Sequence, residues 1–243
     1  SGDNELRVKV THNVSANLPS GKQSKQRDSF GCFYSRVTGI WQSVWRERTP
    51  ADYIKKVCFF PDAQNGSVDI RLCVEGCGKA EIDILYEGEP AGHAEGEVCA
   101  RRTVSVPRKV SSLWEPGNGR LYDVVLRYGG DEVKSYFGLR DVRFEGMKFL
   151  LNGKSVFQRF VLDQGYYPEG LYTAPDESSM IRDIELAMRL GFNGARLHQK
   201  IFEPRFLYHC DGLGFIGCGE IPGWGAEYDV LRALGPVVGE WTE

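Results

Sequence analysis

No run of about 18 consecutive apolar residues occurs in the chain, so nothing in it reads as a membrane-spanning helix. The opening Ser1-Gly2-Asp3-Asn4-Glu5 has neither a basic nor an apolar leader region, and no export signal is legible there. A concentrated basic face is also missing. Thirty Lys and Arg stand against 33 Asp and Glu, a formal net charge of -3, and phosphate neutralisation needs the opposite balance, which excludes nucleic acid as the main partner. The one basic cluster, Lys22, Lys25 and Arg27, falls in a Ser- and Gly-containing loop and reads as a solvated segment. Cysteines number seven, an odd count without framework spacing in a chain large enough to need no staples. Reduced thiols and a cytoplasmic setting follow as the expectation.

Several motifs fail on their own terms. No Gly-x-Ser-x-Gly elbow occurs. Gly153-Lys154-Ser155 lacks the upstream glycine of a phosphate loop, because position 148 is Lys. Cys73 and Cys77 have no second pair at zinc-ligand spacing and read as reduced structural thiols. Asn13-Val14-Ser15 and Asn65-Gly66-Ser67 read as ordinary loop or strand chemistry.

The first two thirds of the chain carry strand periodicity. Val68, Ile70, Leu72 and Val74 alternate with polar neighbours, as do Ile82, Ile84 and Tyr86, and the pattern returns over Leu121 to Tyr128 and Val133 to Phe137. Asn65-Gly66 and Gly129-Gly130 are tight-turn dipeptides. An antiparallel sandwich over residues 49–140 is expected. Residues 1–48 hold only three strand-like pieces, Leu6 to His12, Cys32 to Val37 and Ile40 to Arg46, too few to fold alone.

After Val142 the period changes. A hairpin is expected around Asn152-Gly153, then a buried strand over Arg159 to Leu162. Asp176 is the expected N-cap of a helix over Glu177 to Leu190, with Met180, Ile181, Ile184, Ala187 and Met188 as its apolar stripe and Gly191 as its stop. A strand over Asn193 to Leu197 comes next, then a helix opened by Pro204, then a strand over Phe215 to Gly219. This β, α, β, α, β order predicts parallel pairing. The strand ends carry Asp163-Gln164, His198-Gln199-Lys200 and Glu220, a convergence of carboxylate, imidazole, amide and ammonium groups suited to hydroxyl-rich ligands. Each has a plainer use: His198 as a hydrogen-bonded structural histidine, Glu220 as the partner of Arg196. Trp41, Trp45 and Trp114 fit sugar stacking, although core packing is the commoner use of isolated Trp.

Three blocks resemble glycoside hydrolase family 2, the β-galactosidases, β-glucuronidases and β-mannosidases. They are Thr38-Gly39-Ile40-Trp41-Gln42-Ser43-Val44-Trp45, Phe149 to Leu162, and Gly191 to Pro222. The resemblance implies a jelly-roll remnant over 1–48, an immunoglobulin-like β-sandwich over 49–140, and the first three βα units of a TIM barrel over 141–243. It implies that both catalytic glutamates lie beyond the C-terminus. The Asn4-Glu5 dipeptide is a chance match to the acid/base motif, and Glu227 and Glu240 stand in contexts that match neither motif. The family's supporting residues fall on Arg196, in the Asn-x-x-Arg pattern from Asn193, and on the substrate-facing candidates Asp163, His198, Gln199, Lys200 and Glu220. Glu220 also resembles a metal ligand of some β-galactosidases. Arg-Leu-His-Gln-Lys replaces the commoner Arg-x-Ser-His-Tyr-Pro, so no metal is assigned, and Mg or Na belongs at most to an intact enzyme.

The resulting expectation is a glycosidase fragment, β-galactosidase-like and inactive alone, that binds a β-glycoside and self-associates through an open barrel edge. The alternative is a non-catalytic carbohydrate-binding or interaction module.

Overall fold

The computed structural model describes residues 5–12, 20–24, 26–107 and 112–223. The Asn13 triplet, Lys25, Asn4, Glu227 and Glu240 lie outside the described residues. The described part is mostly β, with two α-helices near its C-terminal end.

Five strands form one antiparallel sheet: β1 (Ile54–Asp62), β2 (Ser67–Tyr86), β3 (Glu89–Pro107), β4 (Leu121–Tyr128) and β5 (Asp131–Gly138). Their order is β1-β2-β4-β5, with β3 also paired to β2. The alternation read in the sequence is the alternation of burial. Val68, Ile70, Leu72, Ile82, Ile84, Tyr122, Val124 and Leu126 are all essentially inaccessible, while Asp69 and Arg71 face solvent. Gly129 and Gly130, at φ 59° and 86°, form the expected two-residue turn between Tyr128 and Asp131. Asn65-Gly66 instead closes a four-residue turn. Asp62 holds it, accepting from the backbone N–H groups of Gln64 and Asn65 at 2.9 Å each.

The antiparallel sandwich expected over 49–140 is hydrogen-bonded as one curled sheet folded back on itself. Strand β2 runs through Glu75-Gly76-Cys77-Gly78, with a bulge between Cys73 and Cys77. Before the bulge β2 pairs with β1; from Ala80 onward it pairs with β4 on that side. Gly76 (φ 82°) makes the bend where Asp52 crosses, since a Cβ there would sit 2.1 Å from Asp52 Oδ1. The bend brings β1 and β5 face to face: Phe59 stacks on Phe137 at 5.8 Å, and Phe137 on Tyr122 at 5.1 Å.

The expectation that all thiols are reduced also needs correction. Cys77 and Cys99 are opposite one another on β2 and β3 and are joined as a disulfide. Cys32, Cys58, Cys73, Cys210 and Cys218 are free.

The three strand-like pieces of residues 1–48 form no continuous ladder among the described residues. Only the isolated bridges Gln23 with Tyr34 and Phe30 with Phe33 occur there. A strand needs paired neighbours and a covered apolar face, and Leu6, Val44 and Trp45 are 84%, 70% and 73% exposed.

Beyond residue 140 the expectations largely hold. β6 (Val142–Glu145), β7 (Lys148–Leu151) and β8 (Lys154–Ser155) form a small antiparallel sheet turned at Asn152-Gly153, both at positive φ. β9 (Phe160–Asp163), β10 (Gly194–Leu197) and β11 (Ile216–Gly219) then pair in parallel, with Asp163, Leu197 and Gly219 level at their carboxyl ends. Strand β9 is less buried than expected, because it is an edge of this sheet and Leu162 is half exposed. Helix α1 (Glu177–Arg189) starts at Asp176, whose carboxylate accepts from Ser179 N at 2.7 Å, and buries Met180, Ile184 and Ala187. It ends at Gly191 (φ 89°), with Phe192 N donating to Ala187 O and Gly191 N to Met188 O. Helix α2 (Pro204–Leu213) opens at Pro204 and ends at left-handed Gly214. Both helices pack on Ala195 and Leu197, so Arg196, between them in a period-2 strand, faces the other way.

The curled sheet and this α/β part have separate apolar cores. They meet at the C-terminal end of α2. Trp114 Nε1 donates to the Asp211 carbonyl at 2.7 Å, Gly117 N to Gly214 O at 2.8 Å, and Tyr136 OH to the Asp211 carboxylate at 3.3 Å. Orphan carbonyls at a helix end are thus satisfied by the neighbouring unit.

Candidate functional site

The site is built from the residues immediately beyond β10 and β11. Parallel register puts Leu197 beside Gly219, so the next residues of both strands emerge together at the carboxyl edge. Glu220 is the focus. Its Oε2 accepts from Arg196 Nε at 2.8 Å, its Oε1 from Gln199 Nε2 at 2.6 Å, and His198 Nδ1 lies 3.1 Å from Oε1. Burial raises the Glu220 pKa, but hydrogen bonds from Gln199, His198 and Arg196 outweigh it and hold the carboxyl below its ordinary value. Glu220 is therefore a fixed anion.

The turn that delivers these groups is tight. His198 N donates to Asp163 O at 2.8 Å, continuing the ladder one residue past the strand, and Gln199 then takes φ 54°. A non-glycine residue in the left-handed region is uncommon. Here the buried Gln199 is held from both sides. Its amide binds Glu220, and Gly21 lies so close to its carbonyl that a Cβ at Gly21 would stand 2.1 Å from it.

Lys200 turns away from this cluster. Its ammonium is buried and donates to the carbonyls of Gly165 at 2.5 Å and Tyr172 at 2.6 Å. Ring centroids of Tyr172, Trp41 and Phe202 lie 4.4, 5.2 and 5.3 Å away. Burial pulls its pKa down to about 8, with Glu203 and Asp163 opposing. Asp163 is likewise directed inward: its Oδ1 accepts from Gly165 N at 2.8 Å, and burial raises its pKa.

Of the six residues read from the sequence, Arg196, His198, Gln199 and Glu220 converge. Asp163 and Lys200 instead hydrogen-bond within the loop after β9, apart from the Glu220 cluster. Sequence reasoning misses Gly21, Gly165, Tyr166 and Tyr172. It singles out Trp41 for sugar stacking, but not its place over Lys200. Tyr34 stacks on Tyr166 at 3.8 Å, and Thr173 Oγ1 donates to the Trp41 carbonyl at 3.1 Å, so the N-terminal segment is docked on this loop. No local pattern announces contacts between residues so far apart in sequence.

The donor set does not fit a metal at Glu220. Both carboxylate oxygens already accept from nitrogen donors, and a cation would have to displace the Arg196 guanidinium. Among the described residues, Glu81, Asp83 and His93 come within ligand spacing of one another. Arg127 Nη1 sits 2.6 Å from Asp83 there and already supplies the positive charge.

No family model matches the chain. Among curated proteins it is similar to the β-galactosidase of Thermoanaerobacter pseudethanolicus, 27% identical over 212 residues, covering 79% of this chain and 28% of that protein. The β-glucuronidase of Rattus norvegicus matches with the same identity and extent, covering 31% of its own length. A β-galactosidase of Thermoanaerobacterium thermosulfurigenes is 32% identical over 117 residues, 46% of this chain and 16% of that one. The chain thus spans less than a third of the length of these relatives. Among solved structures, the Ruminococcus gnavus β-glucuronidase in complex with uronic isofagomine shares the fold at TM-score 0.66 and 22% identity, covering 79% of this chain and 32% of that one. Apo Bacteroides uniformis β-glucuronidase 3 does so at TM-score 0.63 and 24% identity, covering 72% and 24%. The resemblance to the family 2 glycosidases is carried by both sequence and fold.

Proposed function

We propose that this chain is a segment of a retaining family 2 glycoside hydrolase, β-galactosidase-like, acting on terminal β-glycosidic bonds. In this reading residues 49–140 are the immunoglobulin-like domain, residues 141–243 open the (β/α)8 barrel, and residues 1–48 close the jelly roll. The observation that carries it is Glu220, held ionised at the carboxyl edge of a parallel sheet by Arg196, His198 and Gln199.

Such an arrangement binds and orients. An ionised carboxylate accepts from sugar hydroxyls, and the exposed part of Arg196 offers further donors. It does not by itself cleave. Retaining hydrolysis needs an acid and a nucleophile about 5 Å apart, and the groups holding Glu220 are a guanidinium, an imidazole and an amide, none of them carboxylic. A carboxyl kept below its ordinary pKa is also a poor proton donor to a leaving group. The chain alone is therefore a sugar-binding face without turnover, and the catalytic pair belongs to the remainder of the enzyme.

Self-association follows from the same reading. Among the described residues β9 and β11 are unpaired edges of the three-stranded sheet, and Leu162, Phe157 and Ile221 nearby are 50%, 79% and 76% exposed.

The test is a paired assay on the purified chain. 4-Nitrophenyl β-D-galactopyranoside should bind, with affinity falling at least tenfold in Glu220→Gln, and release no nitrophenolate. Binding unchanged by Glu220→Gln would remove the support.

A further inference from the structure

A second surface on the molecule has the chemistry of a sugar site. Between the N-terminal segment and the loop after β9 lies a cavity of about 450 Å³, within the usual range for small-molecule sites. Its walls include Thr11, His12, Gln23, Thr38, Trp41 and Tyr172. Resting on the glycosidase reading, we infer that this cavity is an additional subsite that takes one neutral pyranose ring, separate from the Glu220 cluster.

Three features carry the inference. Trp41 and Tyr172 meet edge-on, centroids 4.7 Å apart and planes at 70°, forming an aromatic corner. The C–H face of a pyranose packs against such a wall by dispersion and apolar burial. Around the corner are short hydroxyl, imidazole and amide groups, with His12 Nδ1 and Thr38 Oγ1 3.1 Å apart. Such groups exchange donor and acceptor roles with sugar hydroxyls.

Gln23 supplies the third. Its Oε1 is buried with no hydrogen-bond partner among the described residues, and a buried acceptor left unpaired is costly. The terminal torsion of a glutamine is broad and soft, so a small rotation presents the amide to a ligand hydroxyl. A sugar in the cavity supplies a partner that the described residues of the wall do not.

Charge selects the kind of sugar. Among the described residues no Lys, Arg, Asp or Glu lines the cavity. The Lys200 ammonium lies under the Trp41 and Tyr172 rings and is committed to the Gly165 and Tyr172 carbonyls. A uronate carboxylate would be desolvated there without a counter-ion. The subsite therefore prefers hexosides such as galactosides over glucuronides.

The four histidines of the chain make the test selective. His12 lines the cavity, His198 touches Glu220, and His93 and His209 lie on other elements. Imidazole resonances of the whole chain are followed by NMR during titration with methyl β-D-galactopyranoside and, separately, methyl β-D-glucuronide. The galactoside should shift His12 to saturation, with the apparent Kd raised about tenfold in Gln23→Leu. The glucuronide should leave His12 in place. Undisturbed His93 and His209 signals certify the fold of the variant, and Thr38→Val serves if Gln23→Leu does not fold. A moving His198 with a still His12 overturns the cavity subsite and leaves the Glu220 reading standing. Stillness of both overturns both, and a His12 response equal for the two sugars or unaffected by the variants overturns the subsite.

Discussion

Gln199 donates its side-chain amide to Glu220 Oε1 at 2.6 Å while its own backbone stands at φ 54°, the left-handed region. The two facts are connected. The turned residue presents its amide to the carboxylate, and its carbonyl lies so close to Gly21 that no Cβ fits there. Backbone strain at a site residue persists only where the surroundings over-determine it.

Gly21→Ala is expected to disturb this turn from a distance. The added methyl meets the Gln199 carbonyl, and Gly21 itself is at φ 57°, so destabilisation of about 1 to 3 kcal/mol should follow. Chemical denaturation measures that loss, and a binding titration should show weaker β-glycoside affinity in the residual folded protein. A variant with wild-type stability and affinity would show that the contact sets nothing.

Lys200 gives a pH signature with a definite sign. Its folded pKa, about 8, lies below the ordinary 10.5, so between those values the unfolded chain binds more protons. Stability should therefore rise with pH across that window and fall as pH drops through 8. The full effect is about 3 kcal/mol from the size of the shift, reduced by whatever water reaches the cage. Above pH 10 the buried tyrosines oppose it, Tyr136 being pushed up to about 12 by burial and the Asp211 carboxylate. Urea melts at pH 7.5, 8.5 and 9.5 should show the rise in wild type and none in Lys200→Met.

Glu220 supplies the acid-side counterpart. Its folded pKa is lowered, so its contribution is complete above the unfolded value and is lost as pH falls through the folded one. Glu220→Gln should flatten that part of the stability profile and cost about 2 kcal/mol at neutral pH, the scale of hydrogen bonds to a charged group. Melts from pH 3 to 7 on both proteins make the comparison.

Thiol chemistry tests the curled sheet. Alkylation of the denatured, unreduced chain should label five cysteines, and prior reduction should raise the count to all seven. Closing a loop of 22 residues' separation contributes about 3 kcal/mol in the chain-entropy model, so Cys99→Ser should lose roughly that much. Seven labels without reduction would return the pair to the thiol state.

The junction between the two parts rests on Trp114. Trp114→Phe keeps the ring but leaves the Asp211 carbonyl without its 2.7 Å donor, so a loss of about 1 to 2 kcal/mol is expected. Differential scanning calorimetry should also show unfolding of the variant broadened or split relative to the wild-type chain.

The elements most legible in the sequence are those whose signals are local. Asp176 as a cap, Pro204 and Gly214 at the ends of α2, the Asn152-Gly153 turn and the alternation in β2 all act within a few residues. The convergence of Arg196, His198, Gln199 and Glu220 is legible because a β, α, β order fixes parallel pairing and hence which strand ends meet. What stays hidden depends on distant partners. The close approach of Asp52 to Gly76 has no local signal. The surroundings of Lys200, the Trp41 and Tyr172 rings and the Gly165 carbonyl, come from residues remote in sequence. The strand-like pieces before residue 48 make only isolated bridges among the described residues, and a strand needs a continuous paired neighbour.

Calorimetric titration of the chain with 4-nitrophenyl β-D-galactopyranoside, run alongside a nitrophenolate absorbance assay on the same samples, bears most directly on the central claim. Saturable binding that weakens at least tenfold in Glu220→Gln, with no nitrophenolate released, is the predicted result. Nitrophenolate release by the wild-type chain that disappears in Glu220→Gln would contradict it, because Glu220 would then be working as a catalytic carboxyl rather than as a fixed anion.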